Sequence, residues 1–168
     1  MSVHEHKKEA PRSVRCAVIT VSDTRTEETD KSGKLIKELL QAHGHSIEYY
    51  EMAKDDGETI QAAFVNAIRQ PEVQAVIVNG GTGIAKRDVT IETLVPLFDK
   101  EIVGFGELFR MISYTEDIGS AAMLSRAAAG VCQDKAVFIT PGSSGAVKLA
   151  MKKLILNELG HIIREIQK

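Results

Sequence analysis

Val73-Gln74-Ala75-Val76-Ile77-Val78 runs directly into Asn79-Gly80-Gly81-Thr82-Gly83-Ile84-Ala85-Lys86-Arg87-Asp88-Val89-Thr90-Ile91-Glu92, and this junction decides the fold. A short apolar run between Pro71 and a glycine reads as a buried strand. The carboxyl end of such a strand is where open α/β sheets bind ligands. Three glycines in four positions let the backbone approach a ligand closely and adopt positive φ. Successive N–H groups in such a loop form an anion-binding concavity. Arg87 adds a fixed positive charge, and Asp88 a carboxylate able to hold a cation or a proton. Plainer readings stand beside these: the loop as a tight connection, and Asp88 as complement to the dipole of the following helix.

Working outward, Val14 to Val21 reads as a first strand ending in Ser22-Asp23-Thr24. Lys31 to His43 carries Leu35, Ile36, Leu39 and Leu40 on a helical face and stops at Gly44. Ile47 to Ala53 reads as a second strand. A helix starting at Asp56 or Gly57 places Ile60, Ala63, Phe64, Ala67 and Ile68 on one side and ends before Pro71. Beyond the glycine loop a helix is expected near Thr90 to Phe98, with Thr90 as N-cap and Glu92 set against the dipole. Another is expected from Gly104 to about Tyr114. Leu124 to Val131 admits either helix, from its alanines, or a short strand, from Gly130. Ala136 to Thr140 is a strand that runs into Pro141-Gly142-Ser143-Ser144-Gly145. A last helix, from about Ala146, sets Val147, Ala150, Met151, Leu154, Ile155, Ile162, Ile163 and Ile166 at helical intervals. The alternation of strand and helix predicts an α/β fold with a mostly parallel sheet covered by helices on both faces.

The chain has 168 residues, 43% of them apolar and 26% charged, which suits one globular domain over residues 13–168. Residues 1–12 read as a flexible polar tail. His4 and His6 in it have a spacing that could chelate a metal, but a solvated tail is the plainer reading. Lysines and arginines number 21 against 23 acids, a formal charge of −2, so no nucleic acid or acidic membrane is expected as partner. The segment Met1 to Arg12 lacks the apolar core of a signal peptide, and no run approaches a membrane span, so a cytoplasmic protein is expected. Cys16 lies in a strand-like run and reads as a buried, unreactive thiol. Cys16 and Cys132 have no partners at ligand spacing that would make a zinc site. His43, His45 and His161 read as surface residues.

Several polar loops follow strands that would run the same way: Ser22-Asp23-Thr24, Lys54-Asp55-Asp56, the Gly80 loop and Pro141-Gly142-Ser143. In a parallel sheet these ends gather on one edge and can line one pocket. Thr82 and Ser143 hydroxyls suit a phosphate or a ring carbonyl. Asp55 and Asp88 together could hold Mg²⁺. Taken singly they are blander: Asp56 is most simply an N-cap, and Asp55 a solvated turn. GxxxxGK[ST] does not occur, GxGxxG fails because Lys86 stands where its last glycine should be, and there is no GxSxG. Any nucleotide is therefore bound by another geometry. Glu107 and Arg110, three apart on a helix, read as a surface pair, or as residues that orient a polar ligand or a neighbouring subunit, with Ser125 and Arg126 acting similarly.

Together, Val21-Ser22-Asp23, Gly80-Gly81-Thr82-Gly83-x-x-x-Arg87-Asp88-x-Thr90-x-Glu92, Gly104-Phe105-Gly106-Glu107-x-x-Arg110, Ser125-Arg126-Ala127 and Pro141-Gly142 resemble the MoaB/MogA family of molybdopterin-binding proteins. The resemblance covers about residues 14–160 in the expected order and is nearer the MoaB branch. It implies a three-layer α/β sandwich of the molybdopterin-binding fold, assembled as a homotrimer or homohexamer, working in molybdenum cofactor biosynthesis. In the sister branch the terminal phosphate of molybdopterin attacks the α-phosphate of MgATP, giving adenylylated molybdopterin and pyrophosphate. The two essential acids of that branch fall on Asp88 and on Asp55, with Asp56 adjacent. The resemblance thus implies an adenylyltransferase in which Asp55 and Asp88 organise Mg²⁺ and ATP. It sets Ser22, Gly80, Gly81, Thr82, Gly83, Arg87, Thr90, Glu92, Glu107, Arg110, Ser125, Arg126, Pro141, Gly142 and Ser143 about the ligands. One departure is Ser144, where many members carry a second proline. Two alternatives remain: a non-catalytic molybdopterin-binding and delivery protein, and an oligomeric scaffold for other enzymes of cofactor assembly.

Overall fold

A computed structural model describes residues 2–168. Its strands are β1 (Arg15–Val21), β2 (Ser46–Ala53), β3 (Ala75–Asn79), β4 (Lys100–Glu101), β5 (Ala128–Cys132) and β6 (Lys135–Thr140). Its α-helices are α1 (Val3–Glu9), α2 (Lys31–Ala42), α3 (Gly57–Ile68), α4 (Thr90–Leu94), α5 (Val103–Glu116), α6 (Ser144–Ala150) and α7 (Leu156–Ile166). The six strands form one sheet in the order β2-β1-β3-β6-β5-β4. β2, β1, β3 and β6 are mutually parallel, while β5 is antiparallel to both its neighbours. The sheet is therefore mixed but mostly parallel, as expected.

Strand periodicity explains the layers. Cys16 and Val18, Ala75 and Ile77, and Ala136 and Phe138 face one side, where they pack with Ile36 and Leu40 of α2, Phe109 of α5 and Ile155, Leu159 and Ile163 at the carboxyl end. The intervening Ala17, Ile19 and Val21, Val76 and Val78, and Val137 and Ile139 face the other, against Ile60, Phe64 and Ala67 of α3 and Leu94 of α4. Because both faces are covered, these strands read as continuous apolar runs.

The structure defines several elements more closely than the sequence does. In the amino-terminal segment Ser2 and Glu5 form a reciprocal capping box on α1. That helix also lies on α7, through Lys7 with Glu158 and Glu9 with Arg164. Thr90 is not an N-cap; Val89 holds that position without a side-chain bond, and α4 tightens into a 3₁₀ turn at Val95–Leu97. Of the two readings left open for Leu124 to Val131, the strand holds: a 3₁₀ turn at Gly119–Leu124 leads into β5. The last helix starts at Ser144, two residues earlier than expected, and continues from α6 to α7 through a π-helical turn at Met151–Ile155.

Candidate functional site

From β1 the chain crosses through α2 to β2 on one side, then returns through α3 to β3 on the other side of β1. The order thus reverses between β1 and β3, and at such a switch point the loops part at the carboxyl edge of the sheet. A cavity of about 410 Å³ opens there. Its walls come from the ends of β1 (Ser22, Asp23, Arg25), β2 (Asp55), β3 (Gly80 to Gly83, Arg87, Asp88) and β6 (Pro141, Gly142), closed by Leu124, Ser125 and Arg126.

The glycine loop is held by its carbonyls. Thr90 Oγ1 donates to Gly80 O at 2.9 Å, and the Thr90 N–H to Gly81 O at 3.0 Å. Arg126 donates from Nε to Thr82 O at 2.9 Å and from Nη2 to Gly83 O at 2.8 Å. Among the described residues no hydrogen bond engages the N–H groups of Gly81, Thr82 or Gly83. A loop with its carbonyls bound by the protein and its amides open is built to receive an anion. Glycine is required: Gly80 has φ +98° and a side chain there would strike Val21 O, while Gly81 has φ +66°.

Charge converges on the same wall. Asp23 and Asp55 exchange bonds, the Asp55 N–H donating to Asp23 Oδ1 at 2.9 Å and the Asp23 N–H to Asp55 Oδ2 at 3.1 Å. Burial raises the Asp55 carboxyl above its ordinary range, and the charges of Asp23 and then Asp88 add to the rise; the hydrogen bond from the Asp23 N–H, and then Arg87, oppose it. Asp88 accepts the Ala85 N–H at 3.0 Å through one oxygen. Arg25 donates to Ser32 Oγ at 2.6 Å and Gly142 O at 3.3 Å. Arg87 lines the cavity with no hydrogen bond or ion pair among the described residues. The Thr140 hydroxyl, just before Pro141, is buried and has no hydrogen-bond partner among the described residues.

Most of the expected residues meet here: Ser22, Asp55, Gly80, Gly81, Thr82, Gly83, Arg87, Asp88, Ser125, Arg126, Pro141 and Gly142 line the cavity. Others stand differently. Thr90 is buried beneath the loop as a brace. Glu92 pairs with Arg126, whose hydrogen bond holds the Glu92 carboxyl below its usual range. Ser143 Oγ accepts the Ala146 N–H at 3.3 Å as N-cap of α6 and does not line the cavity. Glu107 and Arg110 lie apart, beside Met111, Tyr114 and Met123 on the outer face of α5. Asp56 caps α3, accepting from the Glu58 and Thr59 N–H groups. Asp23 was expected here only as part of the Ser22-Asp23-Thr24 loop, and Arg25 was not singled out; its signal was the polar run after β1, whose partners lie far along the chain. His45, expected at the surface, is half-buried and accepts the Val14 N–H at 3.0 Å.

The chain is similar to known proteins over nearly all its length. A family model described as a probable molybdopterin binding domain matches residues 17–161. Molybdenum cofactor biosynthesis protein B of Bacillus subtilis (strain 168) is 64% identical over 168 residues, covering 100% of this chain and 99% of that protein. A crystal structure of a molybdenum cofactor biosynthesis protein B superposes with TM-score 0.92 at 63% identity, over 95% of this chain and 99% of the other. The tungsten cofactor synthesizing protein MoaB from Pyrococcus furiosus superposes with TM-score 0.85 at 41% identity, over 95% and 100%.

Proposed function

The chain belongs to the molybdopterin-binding family of molybdenum cofactor biosynthesis, and on that premise we propose that it adenylylates molybdopterin with MgATP. The observation that carries this reading is the crowding of Asp23, Asp55 and Asp88 on the wall that also presents open amides and Arg87. A site for anions alone has no use for three carboxylates, whose charges repel a phosphate. With a divalent cation between them they become ligands. The residues therefore fit magnesium arriving with the nucleotide, held by Asp55 and Asp88.

An oxygen of the terminal phosphate of molybdopterin forms the new bond to the α-phosphorus of ATP. The bond from that phosphorus to the bridging oxygen breaks, and pyrophosphate leaves with the electron pair. A phosphate nucleophile is already ionised, so the protein has to position and neutralise, not to take up a proton. The Gly81 to Gly83 amides, Thr82 and Arg87 hold phosphate oxygens. Ser22, Arg25, Ser125, Pro141 and Gly142 shape the rest of the wall, and Arg126 keeps the loop in register. Assembly as a homotrimer or homohexamer, and contact with other enzymes of cofactor assembly, belong to the same proposal.

One observation favours a second reading, a protein that binds and delivers the pterin without turning it over. The Asp88 oxygen that accepts from Ala85 N–H already has a structural duty in the loop. Pyrophosphate release from MgATP and fresh molybdopterin separates the two. Native protein is expected to release pyrophosphate only when the pterin is present, and Asp88→Asn, which keeps an acceptor for Ala85, to lose that release with its fold intact. Pterin binding without release in the native protein would leave the delivery reading in its place.

A further inference from the structure

Away from the cavity, α1 lies on α7 so that two histidines and a carboxylate meet. One donor atom from each of His6, His161 and Glu165 lies within 4.8 Å of the others. His6 Nδ1 is 3.1 Å from Glu165 Oε1, and His161 Nε2 is 3.8 Å from the same oxygen. His161 and Glu165 are four apart on α7, so they present to one side. His6 is brought to them by the capping box of α1 and by the pairs Lys7–Glu158 and Glu9–Arg164, which follow it along α1. His161 is also oriented: its Nδ1 lies 2.9 Å from Glu158 Oε2. A carboxylate there accepts a hydrogen bond from Nδ1–H, which favours the tautomer whose Nε2 lone pair faces Glu165, as the outer partners of metal-bound histidines do.

We propose that His6, His161 and Glu165 bind a divalent transition-metal ion, with Zn²⁺ the best match, and that the ion fastens α1 to α7. Two imidazole nitrogens and one carboxylate oxygen form a donor set that zinc accepts, with water in the fourth position. Tetrahedral ligands about 2.0–2.1 Å from zinc stand roughly 3.3 Å apart. The separations of 3.1 and 3.8 Å to Glu165 Oε1 bracket that value. Two cations share Glu165: Lys168 Nζ uses Oε2 at 2.7 Å, and Arg164 Nη1 approaches Oε1 at 3.1 Å. The ion displaces only the second of these, and Arg164 retains Glu9. The chelating pair is thus His6 with His161 across two helices, not His6 with its neighbour His4, which is exposed on α1.

Calorimetric titration of Zn²⁺ into the full chain, without nucleotide or pterin, tests this. One equivalent per chain is expected. Affinity should fall roughly ten-fold or more in His6→Ala and in Glu165→Gln, and stay unchanged in His4→Ala and in Asp88→Asn. Hydrogen exchange of the Val3–Glu9 amides should slow with zinc in the native chain but not in His6→Ala. The proposal is overturned by an absence of saturable uptake, by a native-like His6→Ala, or by a loss that follows His4 or Asp88 instead. The Asp88 arm keeps this result separate from the fate of the adenylyl-transfer reading.

Discussion

Asp55 and Asp56 are adjacent, yet the backbone between them turns one carboxyl into the cavity and the other onto the first turn of α3. Asp56→Ala is expected to cost about 1 kcal/mol, the usual worth of an N-cap, and to lower Tm by roughly 2–4 °C with turnover retained. Asp55→Asn should do the opposite. The Asp55 carboxyl is raised by burial, then by Asp23 and Asp88, so its ionisation opposes folding. A raised acid contributes stability that is complete below the ordinary aspartate value, about 3.9, and lost as pH rises through the higher folded value. Without divalent cations, Asp55→Asn should therefore melt above the native protein at pH 7, the gap closing near pH 4, and should release no pyrophosphate. Equal melting at pH 7 would refute the electrostatic account of the site. Sequence suffices for Asp56 because a cap is a local pattern. It does not suffice for Arg25, whose bond to Gly142 spans 117 positions. Ser143 was expected at the ligand because a hydroxyl suits a phosphate and a backbone group equally well, and Thr90 only through the family resemblance.

The elements from Val14 to Val78 were legible because each strand is buried on both faces and each helix has one apolar side. The far edge of the sheet was not. Ala128-Ala129-Gly130-Val131-Cys132 has little β-branched character, and it becomes a strand through tertiary contact: β6 pairs along it, and Phe98 and Lys100 O crowd Gly130 where a side chain would stand. The hairpin joining β5 to β6 has only Gln133 and Asp134 between its strands, at φ 49° and 61°. Two successive positive φ values are the signature of the type I′ turn, which favours Asn-Gly. A non-glycine residue in this region costs roughly 1–2 kcal/mol. Gln133→Asn with Asp134→Gly is accordingly expected to raise stability by about 1 kcal/mol and Tm by roughly 2–4 °C. Calorimetry reads this directly, and a fall in Tm would mean that the side chains, not the backbone, hold the hairpin.

α5 is apolar on more than one side. Phe105 and Phe109 enter the core, while Val103, Leu108, Met111 and Tyr114 stay exposed, continued by Ile118, Met123 and Leu124 in the following turn. A helix apolar all round is one that packs on both sides, a signal already present in the spacing from Val103 to Tyr114. An exposed patch rimmed by polar groups such as Glu107 and Arg110 suits a second copy of the chain, which is where the expected homotrimer or homohexamer would meet. Leu124 belongs both to this face and to the cavity wall, and Ser125 and Arg126 follow it directly onto the glycine loop. On the proposed reading, assembly and ligand binding would therefore share a boundary. Sedimentation velocity of the native chain is expected to give three or six copies, and Met111→Glu, which sets a charge in the middle of the face, to shift it to monomers. Because the 3₁₀ turn carrying Leu124 packs on α5, the dispersed variant should also bind molybdopterin more weakly. A native monomer would remove the interface reading. A dispersed variant with unchanged pterin affinity would show instead that each chain completes its own site.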